Sequence, residues 1–240
     1  MEYSSLEISV NLSANLIMNE DGANPNLNYA EGTLLLIPYQ DQRQTITSLE
    51  AFSSLDADKT EEEEYIKFRW EEYNEEVEFG YTSKIETHRK IYQIPYLRFP
   101  ILDLEDEYKE YLEEGEKIDI NSEILEKANE LVEGESNLYT AVFKLASWVE
   151  ENIEYDLNTV TADAALSSSW VLENREGVCD ELTSLFISLA RSVGIPAKFV
   201  AGTAYSNLDN GFGNHGWAEV YFPGYGWIPY DITFKQFGFI

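Results

Sequence analysis

Apolar residues return at every second position through much of residues 5–94. Leu6, Ile8, Val10 and Leu12 alternate with Glu7, Ser9, Asn11 and Ser13; Ile66, Phe68 and Trp70 alternate with Tyr65, Lys67 and Arg69; Val77, Phe79, Tyr81, Ser83 and Ile85 repeat the rhythm. Successive side chains of a strand point to opposite faces, so this spacing predicts half-buried strands. Turn and loop residues at 22–28 and 55–62 separate the runs, and strands of this kind assemble most naturally into an antiparallel β-sandwich. His88 falls in a strand run without a companion histidine and reads as a satisfied or exposed strand residue.

Beyond Pro95 and Pro100 the period changes. Glu-rich stretches with helical spacing cover 102–112 and 124–132, with Ser122 placed to cap the second. Asn137 then opens a helix in which Leu138, Val142, Leu145, Ala146, Val149 and Ile153 recur at intervals of three and four, one broad apolar face. A second stripe, Leu182, Phe186, Leu189, Ala190 and Val193, follows Cys179 and stops at Gly194 with Pro196 just beyond, as helix C-termini prefer. Residues 199–205, 215–222 and 227–231 read as strands, so this part mixes helices with an antiparallel sheet. The pattern predicts an α+β chain with an N-terminal β-sandwich domain over 1–98, an acidic helical connector over 99–135 and a second domain over 136–240.

Composition narrows the partners. In 240 residues, 16 basic side chains stand against 45 acidic ones, a formal charge of −29. Nucleic acid and anionic bilayers would repel such a chain, and a cationic partner or a cation-rich setting suits it better. The run at 61–64, four glutamates, reads as a solvated loop. A single cysteine allows no internal disulfide, which gives an exported location no support and does not exclude it. No apolar stretch approaches the roughly 20 residues that span a bilayer, and the first residues lack the basic and apolar regions of a signal peptide. The sequence as it stands is expected to be soluble, whether whole or a part of a longer or exported protein.

That one cysteine sits in Arg175-Glu176-Gly177-Val178-Cys179-Asp180-Glu181, where a loop gives way to the second striped helix. Downstream come Asn214-His215-Gly216-Trp217-Ala218-Glu219-Val220-Tyr221 and Gly226-Trp227-Ile228-Pro229-Tyr230-Asp231, two strands joined by Pro223-Gly224-Tyr225. Cys, His and Asp in this order, on a helix start and a hairpin, have the layout of a thiol nucleophile with its base. The motifs Gly177 to Cys179, Gly194 to Ala197, His215 to Val220 and Gly226 to Asp231 together resemble the transglutaminase-like superfamily of cysteine enzymes, over roughly 136–237. The resemblance implies a papain-like, transglutaminase-like catalytic domain in which Cys179 is the nucleophile, His215 the base and Asp231 its orienter. Ile232-Thr233 departs from the Pro-Thr that commonly follows the aspartate, and the family would be expected to continue by another strand where this chain ends.

The chemistry sets demands of its own. Only a thiolate attacks carbonyls well, and a free thiol has a pKa of about 8.5. The positive end of a helix favours an anion at its first turn, while Asp180 and Glu181 oppose one unless they point away, so His215 must supply the larger effect. Asp231 must then share a face with His215. A symmetric four-residue loop would send it to the other face, whereas a three-residue loop at 223–225 pairs Phe222 with Gly226 and brings Asp231 diagonal to His215. The oxyanion of a tetrahedral intermediate needs donors; the backbone N–H of Cys179 is one, and Trp170 is the candidate for a second. Trp217 and Trp227 are candidates for lining the acyl-donor cleft or for packing against the sheet, and the Gly-rich loop 206–213 reads equally as a gate or as a plain flexible connection.

Three function classes remain open at this point. The first is an enzyme acting on glutamine or peptide amides of a protein or peptide substrate through a thioester, with transfer to an amine or to water. The second is a binding or adhesion module carrying a vestigial triad. The third, a metal site from Cys179, His215 and Asp231, lacks the clustered spacing of zinc ligands. No cofactor or metal is called for, and oligomeric state is not legible.

Overall fold

The structure is a computed structural model that describes residues 5–17, 28–71, 76–88, 90–159, 166–206 and 211–238. The chain folds as two units, Met1–Lys90 and Ile91–Ile240.

In the first unit, β1 (Ser5–Ile17), β2 (Ala30–Leu34), β3 (Gln44–Ser53), β4 (Asp58–Glu61), β5 (Ile66–Trp70) and β6 (Glu76–His88) form two antiparallel three-stranded sheets, ordered β1-β6-β3 and β2-β5-β4. The alternation read from the sequence is the alternation of burial except at Leu6, which is exposed. Ile66, Phe68 and Trp70 from one sheet and Val77, Phe79 and Tyr81 from the other are buried in one core, where the Phe79 ring lies 5.2 Å from those of both Phe68 and Trp70. Polar ends of the buried aromatics are satisfied: Trp70 Nε1 donates to Ser53 Oγ at 3.0 Å and the Tyr81 hydroxyl to the Leu36 carbonyl at 2.6 Å. A β-rich sandwich thus precedes the helical part. Residues 55–62, expected as loop, contain β4, whose four side chains are all exposed. A strand of that kind is held by backbone pairing to β5 and carries no apolar signal for periodicity to find. His88 Nε2 sits 3.4 Å from Thr45 Oγ1, the bland role expected of it.

In the second unit, α1 (Ser122–Val132), α2 (Leu138–Asn152), α3 (Ser168–Asn174) and α4 (Cys179–Ser192) accompany a four-stranded antiparallel sheet of β9 (Ala197–Ser206), β10 (Gly211–Phe222), β11 (Gly226–Asp231) and β12 (Gln236–Phe237), ordered β12-β11-β10-β9. A further two-stranded parallel pair joins β7 (Glu154–Tyr155) to β8 (Glu176–Gly177). The cap of α1 is Asn121, which accepts from the Ile124 N–H at 2.9 Å, and Ser122 is the first helical residue. Residues 102–112 form only a 3₁₀ segment, Asp106–Leu112, with no buried residue. Its acidic side chains leave no apolar stripe able to support a full α-helix, and Tyr108 and Tyr111 carry its packing onto the sheet.

Helix α4 is the centre of this unit. Its apolar stripe marks only part of the buried surface, since every residue from Glu181 to Ala190 is buried. It contacts α1, α2, α3, β9 and β10, so even its hydroxyls are enclosed and paired: Thr183 donates to the Gly216 carbonyl at 3.2 Å and Ser188 to Ser168 Oγ at 2.8 Å. Gly194, at φ 77°, closes the helix, with the Ile195 N–H donating to the Ala190 carbonyl at 3.0 Å. The β10–β11 hairpin pairs Phe222 with Gly226 across a three-residue turn, with the Tyr225 N–H on the Phe222 carbonyl at 2.8 Å and Gly224 and Gly226 at φ 79° and 80°. Of the expected gate loop, Gly211, Phe212 and Gly213 are strand residues opposite Ser206, Tyr205 and Ala204, and 207–210 lie outside the described residues.

Candidate active site

Cys179 opens α4, half-buried, and is placed there by the residues on either side. Before it, the loop is clamped by the parallel pair: the Glu154 N–H donates to the Arg175 carbonyl at 2.8 Å and the Asp156 N–H to the Gly177 carbonyl at 3.0 Å. A Cβ at Gly177 would lie 2.5 Å from that of Glu181, so a glycine two positions before the cysteine is what allows the first turn of α4 to close on the loop. After it, Glu181 turns back. Its buried carboxylate accepts from the Val178 N–H at 3.0 Å and the Leu166 N–H at 2.9 Å, which commits its charge to backbone donors. Asp180 behaves otherwise, since the Cys179 thiol donates to its Oδ1 at 3.4 Å. Of the two carboxylates expected to oppose a thiolate, one is neutralised by capping and the other faces the sulfur.

His215 comes from β10, opposite Gly202 of β9, and is buried. Its Nε2 lies 2.6 Å from Asp231 Oδ2. The register explains the meeting: the last pair of the hairpin, Ala218 with Tyr230, leaves Asp231 the next residue of β11, on the face opposite Tyr230, where the odd-length turn was needed to send it. The second carboxylate oxygen of Asp231 accepts from the Phe234 N–H at 2.9 Å, and the Phe234 ring stands 4.7 Å from the imidazole. Both carboxylate oxygens are thereby fixed, and Nδ1 is the ring nitrogen left for the sulfur. Burial by itself would lower the His215 pKa. The hydrogen bonds to Asp231 and Cys179, and their charges, outweigh it and raise the value from 6.5 to about 9.

The tryptophans are placed differently from one another. The Trp217 ring lies 6.2 Å from that of His215, lies so close over Gly202 that a Cβ there would meet it at 2.6 Å, and buries its indole N–H without a partner among the described residues. Trp170, on α3, packs on the unit's core and lines a cleft of about 430 Å³ with Asn121, Glu123, Ser167 and Glu173. Trp227 pairs with Tyr221 near the hairpin turn, six residues of β10 and hence about 20 Å from His215. There it meets Tyr111 at 4.8 Å, Tyr221 at 5.7 Å and the Lys198 ammonium at 4.6 Å, a packed cluster remote from the sulfur. The structure thus brings together Cys179, His215, Asp231 and Trp217, and does not bring Trp227 to them. Sequence reasoning missed Phe234 and the capping role of Glu181. The first carries no motif, and the second lacks the Ser or Thr that ordinarily announces a capping box.

Gly216, between His215 and Trp217, faces α4. A Cβ there would come within 2.3 Å of Phe199 Cζ and 2.7 Å of Asp180 Oδ1. Gly216→Ala is therefore expected to destabilise the protein by about 1–3 kcal/mol, read as a lowered denaturation midpoint with unchanged slope. An unchanged midpoint would show that β10 and α4 are not in this close contact.

Residues 126–232 match the family model described as the transglutaminase-like superfamily. Among curated proteins, the uncharacterized protein YebA of Bacillus subtilis is 30% identical over 122 residues, 44% of this chain and 17% of its own length. An uncharacterized protein of Haemophilus influenzae is 26% identical over 144 residues, 51% of this chain and 39% of its own length. The chain thus spans well under half the length of these relatives. Among solved structures, a candidate cysteine protease from Cytophaga hutchinsonii superposes with a TM-score of 0.72 at 18% identity, covering 98% of this chain and 79% of that one, a likeness of fold. The family likeness is thus carried by residues 126–232, a transglutaminase-like segment within the second unit of the chain.

Proposed function

We propose that the chain is a cysteine enzyme that breaks amide bonds of a protein or peptide, glutamine side chains or the backbone, through a thioester on Cys179. The single observation that supports this most is the buried His215–Asp231 contact of 2.6 Å on an imidazole that also interacts with Cys179 at the mouth of α4. In this reading the sulfur gives its proton to His215 and attacks the carbonyl carbon. The tetrahedral intermediate collapses, the C–N bond breaks, and His215 returns the proton to the leaving amine. Water or an amine then attacks the thioester, loses its proton to His215 and releases the sulfur. Asp231 holds the ring with Nδ1 toward the sulfur and stabilises the imidazolium.

The two acceptors share every step up to the thioester. Cys179 is partly exposed, which supports access of water, so hydrolysis is the expected outcome where no amine is supplied. Incubation with a glutamine-bearing protein and a labelled primary amine, read by mass spectrometry, separates the outcomes. Amine incorporation at glutamine selects a transferase, and backbone or side-chain hydrolysis selects a peptidase or amidase. Neither product over a panel of substrates, with wild type matching Cys179→Ala, would end the enzymatic reading in favour of a binding module.

A further inference from the structure

Three carboxylates stand at the candidate site, and two of them are committed. Glu181 accepts from the Val178 and Leu166 N–H groups, and Asp231 is held by His215 and the Phe234 N–H. Asp180 differs. Its Oδ1 accepts from the Cys179 thiol at 3.4 Å and lies against the bare backbone of Gly216, where a Cβ would come within 2.7 Å of it. The side chain is half-buried, and among the described residues no cation and no backbone N–H pairs with it. A carboxylate in that position opposes the charge on sulfur that the chemistry depends on, and its partial removal from water is itself uncompensated. A positive group docked on it would relieve both.

We propose that Asp180 is a specificity residue that binds an ammonium or guanidinium group carried close to the attacked carbonyl, which makes basic proteins and peptides the substrate class; this rests on the thiol-nucleophile reading above. A charge-assisted hydrogen bond of about 2.8 Å to Oδ1 puts the cation within about 6 Å of the sulfur. A lysine or arginine side chain beside the attacked bond spans that distance. The docked cation fixes the carbonyl next to Cys179, and it cancels the negative charge that the α4 start and His215 must otherwise overcome. The sulfur is therefore most reactive when a basic substrate is in place. The chain's formal charge of −29 draws cations to its whole surface, and Asp180 is the point at which one of them meets the reacting atom. Glu181 and Asp231 cannot take this role, because their oxygens are already engaged.

Two thiol reagents of similar size test this role, cationic 2-aminoethyl methanethiosulfonate and neutral 2-hydroxyethyl methanethiosulfonate. With each, the Cys179 thiolate bonds to the sulfur that carries the alkyl chain, and methanesulfinate leaves with the electron pair of the broken S–S bond. Only the charge of the arriving group differs. In Asp180→Asn the ratio of cationic to neutral rates is expected to fall about tenfold, while the neutral rate rises because the opposing charge is gone. Asp180→Glu should keep most of the ratio, and Glu173→Gln, which removes an exposed carboxylate of α3, should keep all of it. A merely structural role would lower both rates together. The proposal is overturned by any of three results: an unchanged ratio in Asp180→Asn, an equal fall in Glu173→Gln, which would assign the preference to overall charge, or loss of both rates in Asp180→Asn and Asp180→Glu alike. A wild type whose neutral rate is no higher than that of His215→Ala would instead remove the nucleophile reading itself.

Discussion

His215→Ala is expected to slow alkylation of Cys179 by iodoacetamide at pH 6 by about a hundredfold. An ordinary thiol with a pKa of about 8.5 is only about 0.3% thiolate at that pH, so a sulfur that passes its proton to a neighbouring imidazole has several hundredfold more of the reacting form. Lower intrinsic nucleophilicity of such a thiolate takes part of that back. The helix start alone cannot supply the effect, because Asp180 faces the sulfur and opposes the same charge that the α4 terminus favours. The imidazole decides the outcome. Equal rates in wild type and variant would mean that the sulfur draws nothing from His215, and the catalytic reading would go with it.

Asp231→Ala should be the most destabilising substitution in the site, by about 3 kcal/mol at pH 6. It strips a buried imidazole of its 2.6 Å partner and leaves the Phe234 N–H without an acceptor. The loss should also depend on pH. With the His215 pKa raised to about 9 in the folded protein against about 6.5 in the unfolded chain, the folded state holds the proton more tightly. The resulting stabilisation is complete below about pH 6.5 and disappears as pH rises through about 9. Wild-type unfolding free energy, measured by urea titration, should therefore fall across that window, and the fall should be much smaller in Asp231→Ala. Parallel curves for the two proteins would show that the carboxylate is not what holds the imidazolium.

The hairpin shows how much of the site was legible before any coordinates. Parity required an odd turn, or an equivalent bulge, between His215 and Asp231, and Phe222 pairs with Gly226 across 223–225. Period and caps also located α2 and α4, because each has a run of apolar residues long enough to mark a face. What escaped had no such mark. The β4 strand is written wholly in exposed side chains, and the centrality of α4 lies in buried Thr183 and Ser188, polar residues whose partners come from other elements. Tyr155 is brought opposite Gly177, two residues before Cys179, by a two-residue parallel contact that periodicity cannot signal. The tryptophans make the same point from the other side. Trp217 and Trp227 share a sheet face and a similar motif context, yet only distance along the strand separates the one beside His215 from the one packed against Tyr221.

The most direct test of the Cys179–His215 pair is the pH dependence of alkylation of the wild-type protein, followed by mass spectrometry of the Cys179 peptide from pH 5 to 9. A rate already high at pH 6 and nearly level up to pH 8 is the predicted result. A rate that stays negligible at pH 6 and climbs with a single midpoint near 8.5, as for a thiol free in water, would contradict the account.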